Sequence, residues 1–225
     1  MSNEWVEWHR QYDEGDKLLA GRLKLVQERI REALDRSPAG PIRIISLCAG
    51  DGRDILGALE GHPRANDVRA RLVEITPELA EQARVRAARQ GLAGIEVVTG
   101  DASATTAYES AVPARLALVC GVFGNITDDD IRNTIDHLPE LCAPDATVIW
   151  TRGRFEPDLT PTIRRWFRDA GFEELTFEPI SETTASVGTN RLVGTPRPFR
   201  SGVRLFTFLP KEERPSQRAR KKGEP

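Results

Sequence analysis

Three successive strand-like segments each end in residues that could bind a small polar ligand. The first runs into the turn "CAGDG" at residues 48–52, where Gly50 and Gly52 let a ligand approach the main chain. The second ends at Glu74 and the third at Asp101. A carboxylate can accept both hydroxyls of a ribose or the exocyclic amine of an adenine. The three ends together therefore indicate a site for a nucleoside-like ligand.

Each feature also has an ordinary structural explanation. Gly50 and Gly52 could simply make a tight turn, and Asp101 follows a glycine as many turn aspartates do. Glu74 precedes a helix, whose N-terminal dipole favours an acid. Since three such coincidences would have to fall at three successive strand ends, binding is the better interpretation.

Hydrophobic patterning predicts the elements that position these residues. An amphipathic helix is expected over residues 13–36, interrupted near Gly21. Later helices are expected to begin after Thr76 and after Thr127, each a typical N-cap. The predicted strands are residues 42–47, 68–75, 95–101, 114–123, 146–152, 173–180 and 202–210.

The order of these elements indicates the fold class. Five strands alternate with helices, which predicts an α/β fold with a parallel, doubly wound sheet. The last two strands have no helix between them, so they should be antiparallel. Residues 181–202 are expected to form a long loop on the substrate side. In such sheets ligands bind at the carboxyl ends of the strands, where the turn at 48–52 lies.

Composition narrows the function classes. The formal net charge of −2 over 225 residues gives no electrostatic case for a nucleic-acid or membrane partner. The three cysteines are scattered in apolar settings, so neither a disulfide framework nor a metal site is expected. No signal peptide or membrane span is visible, which predicts a cytoplasmic protein. We expect a helical cap at residues 1–38, the main domain at 39–210 and a disordered charged tail at 211–225.

Four segments in order, "IISLCAGDGRD", "LVEITPE", "TGDAS" and "LVCGVFGNIT", resemble the class I S-adenosylmethionine (SAM)-dependent methyltransferases. The resemblance covers roughly residues 40–210. The first motif of that family reads acid–x–glycine–x–glycine–x–glycine. Here Ser46 and Cys48 replace the acid and the first glycine, while Gly50 and Gly52 keep the other two. The resemblance implies a Rossmann-like, seven-stranded sheet that closes with an antiparallel hairpin.

The resemblance also implies a role for each part of the site. The turn would face the methionine part of SAM, Glu74 would hold the ribose, and Ile75 would pack on the adenine. Asp51 or Asp54 would supply the charge that Ser46 lacks. The other implied contacts are Asp101 and the Ala102 backbone at the adenine edge, and Gly121, Val122 and Phe123 at the methyl-transfer site. The complete predicted cofactor set is Cys48, Ala49, Gly50, Asp51, Gly52, Asp54, Glu74, Ile75, Asp101, Ala102, Gly121, Val122 and Phe123.

Methyl transfer from a sulfonium is a direct displacement, so a catalytic signature can be absent. His9 and Tyr12 lie in an aromatic N-terminal segment, for which an anchor of the N-terminal helix is a better interpretation than a lid over the site. Asn125 could orient a substrate or cap the next helix. His9, Tyr12 and Asn125 are the weak catalytic candidates. The Asn/Asp–Pro–Pro–aromatic run of certain nucleic-acid methyltransferases is missing, which argues against amino-group methylation of DNA or RNA bases. A small-molecule acceptor is expected, with a protein or an RNA as the alternatives. Arg154 and Arg191 are either ordinary surface arginines or contacts for an anionic substrate.

Two other functions remain open at this point. A nicotinamide-dependent oxidoreductase would have a third glycine at the position of Ile55, so it is the weaker reading. A binding protein of the same fold without catalysis is the other, and the oligomeric state is not encoded in any pattern.

Overall fold

The computed structural model describes residues 5–7, 9–10, 17–181 and 183–215. Residues 5–7 and 9–10 are helical. The main elements that follow are α1 (Lys17–Asp35), β1 (Ile42–Leu47), α2 (Arg53–Leu59), β2 (Val68–Glu74), α3 (Pro77–Arg89), β3 (Ile95–Thr99), β4 (Ala114–Val119), α4 (Asp128–Leu141), β5 (Cys142–Gly153), α5 (Thr160–Asp169), β6 (Phe172–Pro179) and β7 (Ala185–Leu192).

The strands form one seven-stranded sheet in the order β3-β2-β1-β4-β5-β7-β6. The first five in that order are parallel, and β7 is antiparallel to both β5 and β6. This confirms the α/β, Rossmann-like doubly wound sheet with an antiparallel C-terminal hairpin. The chain reverses its direction of travel across the sheet between β1 and β4, where ligands of such folds bind.

Apolar side chains cover both faces of the sheet. Successive residues Ile44 and Ile45 of β1 belong to opposite buried clusters, as the alternation of a strand requires. One cluster contains the buried faces of α1 and α2, and the other contains those of α4 and α5. Helix α1 therefore contributes to the core, while the predicted domain boundary at residue 38 stays a prediction.

Helix α1 is continuous through Gly21, so the predicted interruption is wrong. Its apolar residues Val26, Ile30 and Leu34 recur every four positions and are fully buried. A glycine inside a helix costs about 1 kcal/mol relative to alanine. Packing of this apolar stripe offsets that cost, because helices in proteins are stabilised mainly by tertiary contacts.

The helix starts follow the predicted caps only in part. The Thr127 hydroxyl accepts a hydrogen bond from the Asp130 amide at 3.1 Å and so caps α4 as predicted. Thr76 does occupy the N-cap position of α3, with Pro77 following, but its side chain makes no capping bond.

The last strand is misplaced in the sequence prediction. Strand β7 lies at residues 185–192, within the segment predicted as a long substrate-side loop, and residues 202–210 form no ladder. Strand β7 is buried on both faces yet carries small and polar residues, so it shows no apolar alternation. Gly188 lies against Trp150, whose indole a Cβ would overlap, and Asn190 Oδ1 accepts from Trp150 Nε1 at 2.8 Å.

The apolar residues at 203–208 do have a packing role. This segment, which we call the strap, crosses the loops that follow β3 and β4 through single bridges at Ala104–Arg204 and Ile126–Phe208. Leu205 is fully buried. Of the predicted disordered tail, residues 211–215 are placed and begin with a 3-10 turn, and residues 216–225 lie outside the described part.

Among the described residues, no helix combines the length and the apolar character needed to span a bilayer.

Candidate functional site

A cavity of about 740 Å³ opens at the carboxyl ends of the central strands. Five strands reach it. The parallel strands do so at their carboxyl ends: β1 through Cys48 and Ala49, β2 through Glu74 and Ile75, β4 through residues 120–121 and β5 through residues 151–153. The antiparallel β7 reaches it at its first residues, 185–186. The two ends of the described chain cover it. The covering side chains include Trp5, Glu7, His9, Phe208, Lys211 and Arg214.

The turn after β1 uses left-handed backbone at three positions. Cys48 has φ 53°, Gly50 has φ 58° and Gly52 has φ 73°. A non-glycine residue in this region costs about 1–2 kcal/mol. Cys48 stands where the resembled family has its first glycine, and its left-handed backbone adds local strain to the turn.

Backbone amides hold the Glu74 carboxylate in place, one of them from the turn after β1. Its side chain is only 5% exposed, Oε2 accepts from the Gly50 amide at 2.9 Å, and Oε1 accepts from the Thr76 amide at 2.7 Å. A carboxylate has about four acceptor positions, so both oxygens can still accept from a ligand. The neighbouring Ile75 is 59% exposed and lines the cavity. The structure thus brings Gly50, Glu74 and Ile75 together.

Asp51 is held by arginines and does not line the cavity. It forms ion pairs with Arg53 at 2.6 Å and Arg86 at 3.0 Å, so it ties the turn to α2 and α3. Burial opposes ionisation of Asp51, but the hydrogen bond and charge of Arg53 outweigh it, and its pKa lies below the usual value.

Of the two alternatives Asp51 and Asp54, Asp54 is the one that lines the cavity, as do Arg22 and Cys120. Burial raises the pKa of Asp54, partly offset by the charge of Arg22. Burial also raises the pKa of the Cys48 and Cys120 thiols, and Glu74 and Asp54 respectively add to this effect. Both thiols therefore stay protonated at neutral pH, so they are wall groups and not nucleophiles.

Asp101 lies at the side of the site and is not among the residues that line the cavity. Its Oδ1 accepts from the Ser103 amide at 2.9 Å, and Oδ2 is 3.4 Å from Arg204 of the strap. The adjacent Ala102 is buried, and its carbonyl accepts from the Tyr108 hydroxyl. Contacts of Asp101 and Ala102 with an adenine stay predictions.

The loop after β4 contributes backbone to the cavity. Gly121 lines it, whereas Val122 and Phe123 are fully buried in the core. Asn125 also lines the cavity, and its amide donates to the Gly121 carbonyl at 2.6 Å. Since Thr127 caps α4, the Asn125 side chain is not needed for that purpose.

The N-terminal aromatic segment lies over the turn. The His9 imidazole occupies the space that a Cβ at Gly50 would fill, and its Nδ1 is 2.8 Å from the Trp5 carbonyl. The Trp5 ring lies 5.6 Å from Phe208 and under the Arg214 guanidinium. Tyr12, the remaining catalytic candidate, lies outside the described residues.

Arg152 is a cavity residue that sequence reasoning missed. It is 6% exposed, and Nη1 donates to the Phe123 carbonyl at 2.7 Å. Burial lowers its pKa, opposed by the charges of Asp128 and Asp158. The arginines singled out from sequence do not line the cavity: Arg154 donates to the Thr183 carbonyl and Arg191 pairs with Glu173 on the surface. The only available signal was the position of Arg152 at the end of a strand.

Solved structures show which fold this is. An O-methyltransferase family protein from Burkholderia thailandensis is 17% identical with a TM-score of 0.62; the match covers 80% of this chain and 57% of that protein, so this chain spans little more than half of it. Magnesium protoporphyrin IX methyltransferase from Synechocystis PCC 6803, with bound SAM, is 13% identical with a TM-score of 0.66 and coverages of 84% and 91%. The N-methyltransferase NodS from Bradyrhizobium japonicum WM9 is 14% identical with a TM-score of 0.57 and coverages of 80% and 99%.

Sequence comparison gives the family. No curated protein sequence matches the chain. A family model described as "Putative methyltransferase" matches residues 15–168, which is more than half of the chain and includes the turn, Glu74 and the loop after β4. The chain thus belongs to this methyltransferase family, and its fold is that of the class I methyltransferases.

Proposed function

We propose that this protein is a SAM-dependent methyltransferase that acts on a small-molecule acceptor. One observation carries the proposal: the buried Glu74 carboxylate, fixed by the Gly50 amide, lies beside the exposed Ile75 in a cavity that continues to β4 and β5. Hydroxyl acceptors and an apolar platform side by side suit a ribose with its base. The remaining cavity leaves room for a second molecule.

The described residues fit the proposed cofactor. Glu74 would hold the ribose and Ile75 would contact the adenine, while the methionine part would lie along the turn at residues 48–52. Asp54, which lines the cavity, is better placed than Asp51 to face an ammonium group. Bound SAM supplies an electrophilic methyl group on a cationic sulfur.

The protein's own contribution is alignment and exclusion of water. Gly121 is fixed from two sides, because its amide donates to Thr151 Oγ1 at 2.8 Å and its carbonyl accepts from Asn125. This holds the end of β4, where the methyl acceptor would lie, in one geometry. Trp5 and Phe208 cover the cavity with aromatic surface.

A general base is required only for an acceptor whose proton must leave during transfer. Among the described residues, His9 is the catalytic candidate that lies directly over the turn, and Asn125 acts through Gly121. We assign His9 a role in proton transfer for a hydroxyl acceptor and no chemical role for an amine or activated carbon.

Calorimetry with the purified full chain tests the proposal. We expect SAM and S-adenosylhomocysteine to bind and NADH to give no heat. Binding of NADH without binding of SAM would replace the methyltransferase with the oxidoreductase reading. Release of S-adenosylhomocysteine in an acceptor screen separates an enzyme from a protein that binds SAM and never consumes it.

A further inference from the structure

The Arg152 guanidinium is a buried cation that forms no ion pair with a carboxylate of the described residues. It makes one hydrogen bond, from Nη1 to the Phe123 carbonyl, and Nε is buried with no partner. Within the part of the chain that the structure describes, no carboxylate forms an ion pair with it, and Asp128 and Asp158 act on it only at longer range. Guanidinium carries five donors, so most of its capacity is unused. Leaving a buried charge unpaired is strongly unfavourable.

Among the described residues, the acids that line the cavity lie on other elements than Arg152 and its neighbouring strands. The carboxylates that line the cavity are Glu7, Asp54 and Glu74, which lie on the N-terminal segment, on α2 and at the end of β2. None belongs to β4, β5 or β7. The part of the wall that these strands form therefore has a cation and no anion.

Arg152 is fixed in place by the sheet. It pairs with Ser186 of β7 in the antiparallel register, and Ser186 Oγ donates to the Arg152 carbonyl at 2.8 Å. Sites on strands hold functional groups more precisely than sites on loops. The guanidinium donates to the Phe123 carbonyl in the loop after β4, so it lies next to the proposed methyl-transfer position.

The cofactor's own carboxylate is not the natural partner of this guanidinium. Strands β1 and β5 are separated by β4, which places their ends about 10 Å apart at the usual strand spacing. The proposed methionine position is at the end of β1, where Arg22 lines the cavity. Arg152 is on the side left for the acceptor.

We propose that Arg152 binds an anionic oxygen group, a carboxylate or a phosphate, of the methyl acceptor. The inference rests on the proposed function and narrows it, because the acceptor is then an acidic small molecule. Phe155 lines the same side of the cavity, so the anionic group is expected to be attached to an apolar or aromatic body.

The test uses full-length protein saturated with S-adenosylhomocysteine and three probes: benzoate, phenyl phosphate and the neutral benzamide. We expect benzoate or phenyl phosphate to bind wild type at least about tenfold more tightly than benzamide, since a charge-assisted bidentate bond contributes more than about 1.4 kcal/mol. The two anions distinguish a carboxylate from a phosphate acceptor.

Variants assign the effect to Arg152. Arg152→Met should abolish the preference for anions while S-adenosylhomocysteine still binds. Arg152→Lys keeps the positive charge but loses the planar, bidentate guanidinium, so it should retain a weaker preference for anions over benzamide. This variant serves as the readout if Arg152→Met does not fold. Arg191→Met removes an exposed arginine of β7 and should behave as wild type.

The outcomes separate this inference from the proposed function. Failure of wild type to bind S-adenosylhomocysteine would overturn the proposed function. If wild type binds S-adenosylhomocysteine normally, three results would overturn the inference and leave the proposed function intact. These are benzamide binding as tightly as the anions, no anion binding at millimolar concentration, and Arg152→Met keeping the preference for anions. Weakened S-adenosylhomocysteine binding in Arg152→Met would instead assign the arginine to the cofactor.

Discussion

At the scale of single residues, the site is built from side chains that stabilise the fold and remain available to a ligand. Glu74 shows this most clearly, because the same carboxylate accepts hydrogen bonds from the Gly50 and Thr76 amides and lines the cavity. Asp51 has only the first of these roles, since Arg53 and Arg86 hold it outside the cavity wall. A strand-end acid in the sequence can have either role, and only the contacts tell the two apart.

We expect Glu74→Gln to lower both stability and cofactor affinity. Its amide would turn an NH2 group toward one of two buried backbone donors, which costs about 1–3 kcal/mol. For a domain of this size each kcal/mol lowers Tm by roughly 2–4 °C. Thermal unfolding without ligand and SAM calorimetry measure the two effects. Asp101→Asn is the matched control: it keeps an oxygen for the Ser103 amide and should lose less stability. Wild-type Tm and affinity in Glu74→Gln would contradict this role.

At the scale of elements, small residues of β7 allow it to pack between β5 and β6. Its register places Gly188 opposite Trp150 of β5, and the indole fills the space above the glycine. Gly21 of α1 is the opposite case, because a Cβ there would meet Ile180 at an ordinary 3.7 Å. One glycine is required by packing and the other is not.

Alanine at these two glycines should therefore act in opposite directions. Gly188→Ala should destabilise the protein by about 1–3 kcal/mol through overpacking against Trp150. Gly21→Ala should stabilise it by up to about 1 kcal/mol, because alanine is the better helix former. Chemical denaturation of both variants beside wild type gives the free energies of unfolding. Equal effects at the two positions would show that the indole can move aside.

The same contrast explains what could be predicted from the sequence. Strands β1 to β5 are marked by apolar residues at buried or half-buried positions and alternate with helical patterns, so their succession along the chain and the turn at residues 48–52 were predicted correctly. Strand β7 was missed because its burial is satisfied by Ser186, Gly188 and Asn190, which have no apolar pattern. Arg152 was missed for a related reason: an arginine at a strand end gives no sign of burial until its neighbours are known. The strap was predicted as a strand because it is apolar, but its apolar residues pack against the core and it forms no ladder.

At the scale of the whole molecule, the cavity has a rigid wall and a cover made from sequence-distant segments. The sheet supplies the wall, and Trp5, Phe208 and Arg214 join the N-terminal segment to the residues at the end of the strap and beyond it. An aromatic pair and a cation–π contact are each worth about 0.5–2 kcal/mol. Each of these two contacts of the cover is therefore individually weak.

Trp5→Ala should weaken SAM binding by up to about tenfold while Tm changes little, because the Trp5 ring packs within the cover and not in the core. Calorimetry and thermal unfolding provide the comparison. Arg10→Ala, an exposed change in the same segment, should match wild type. If Trp5→Ala binds SAM normally, the segment anchors the fold without covering the site.

The antiparallel position of β7 also has a consequence for how the cavity arises during translation. A domain generally folds as a unit, so its sheet is completed only when all of its strands have been synthesised. The turn at residues 48–52, Glu74 and the end of β4 all precede residue 125 in the chain. Strand β7, which lies beside β5 on the side away from β4, ends only at Leu192. The wall that carries Arg152 therefore reaches its final form only after Leu192 has been synthesised, although the turn at residues 48–52 and Glu74 leave the ribosome much earlier.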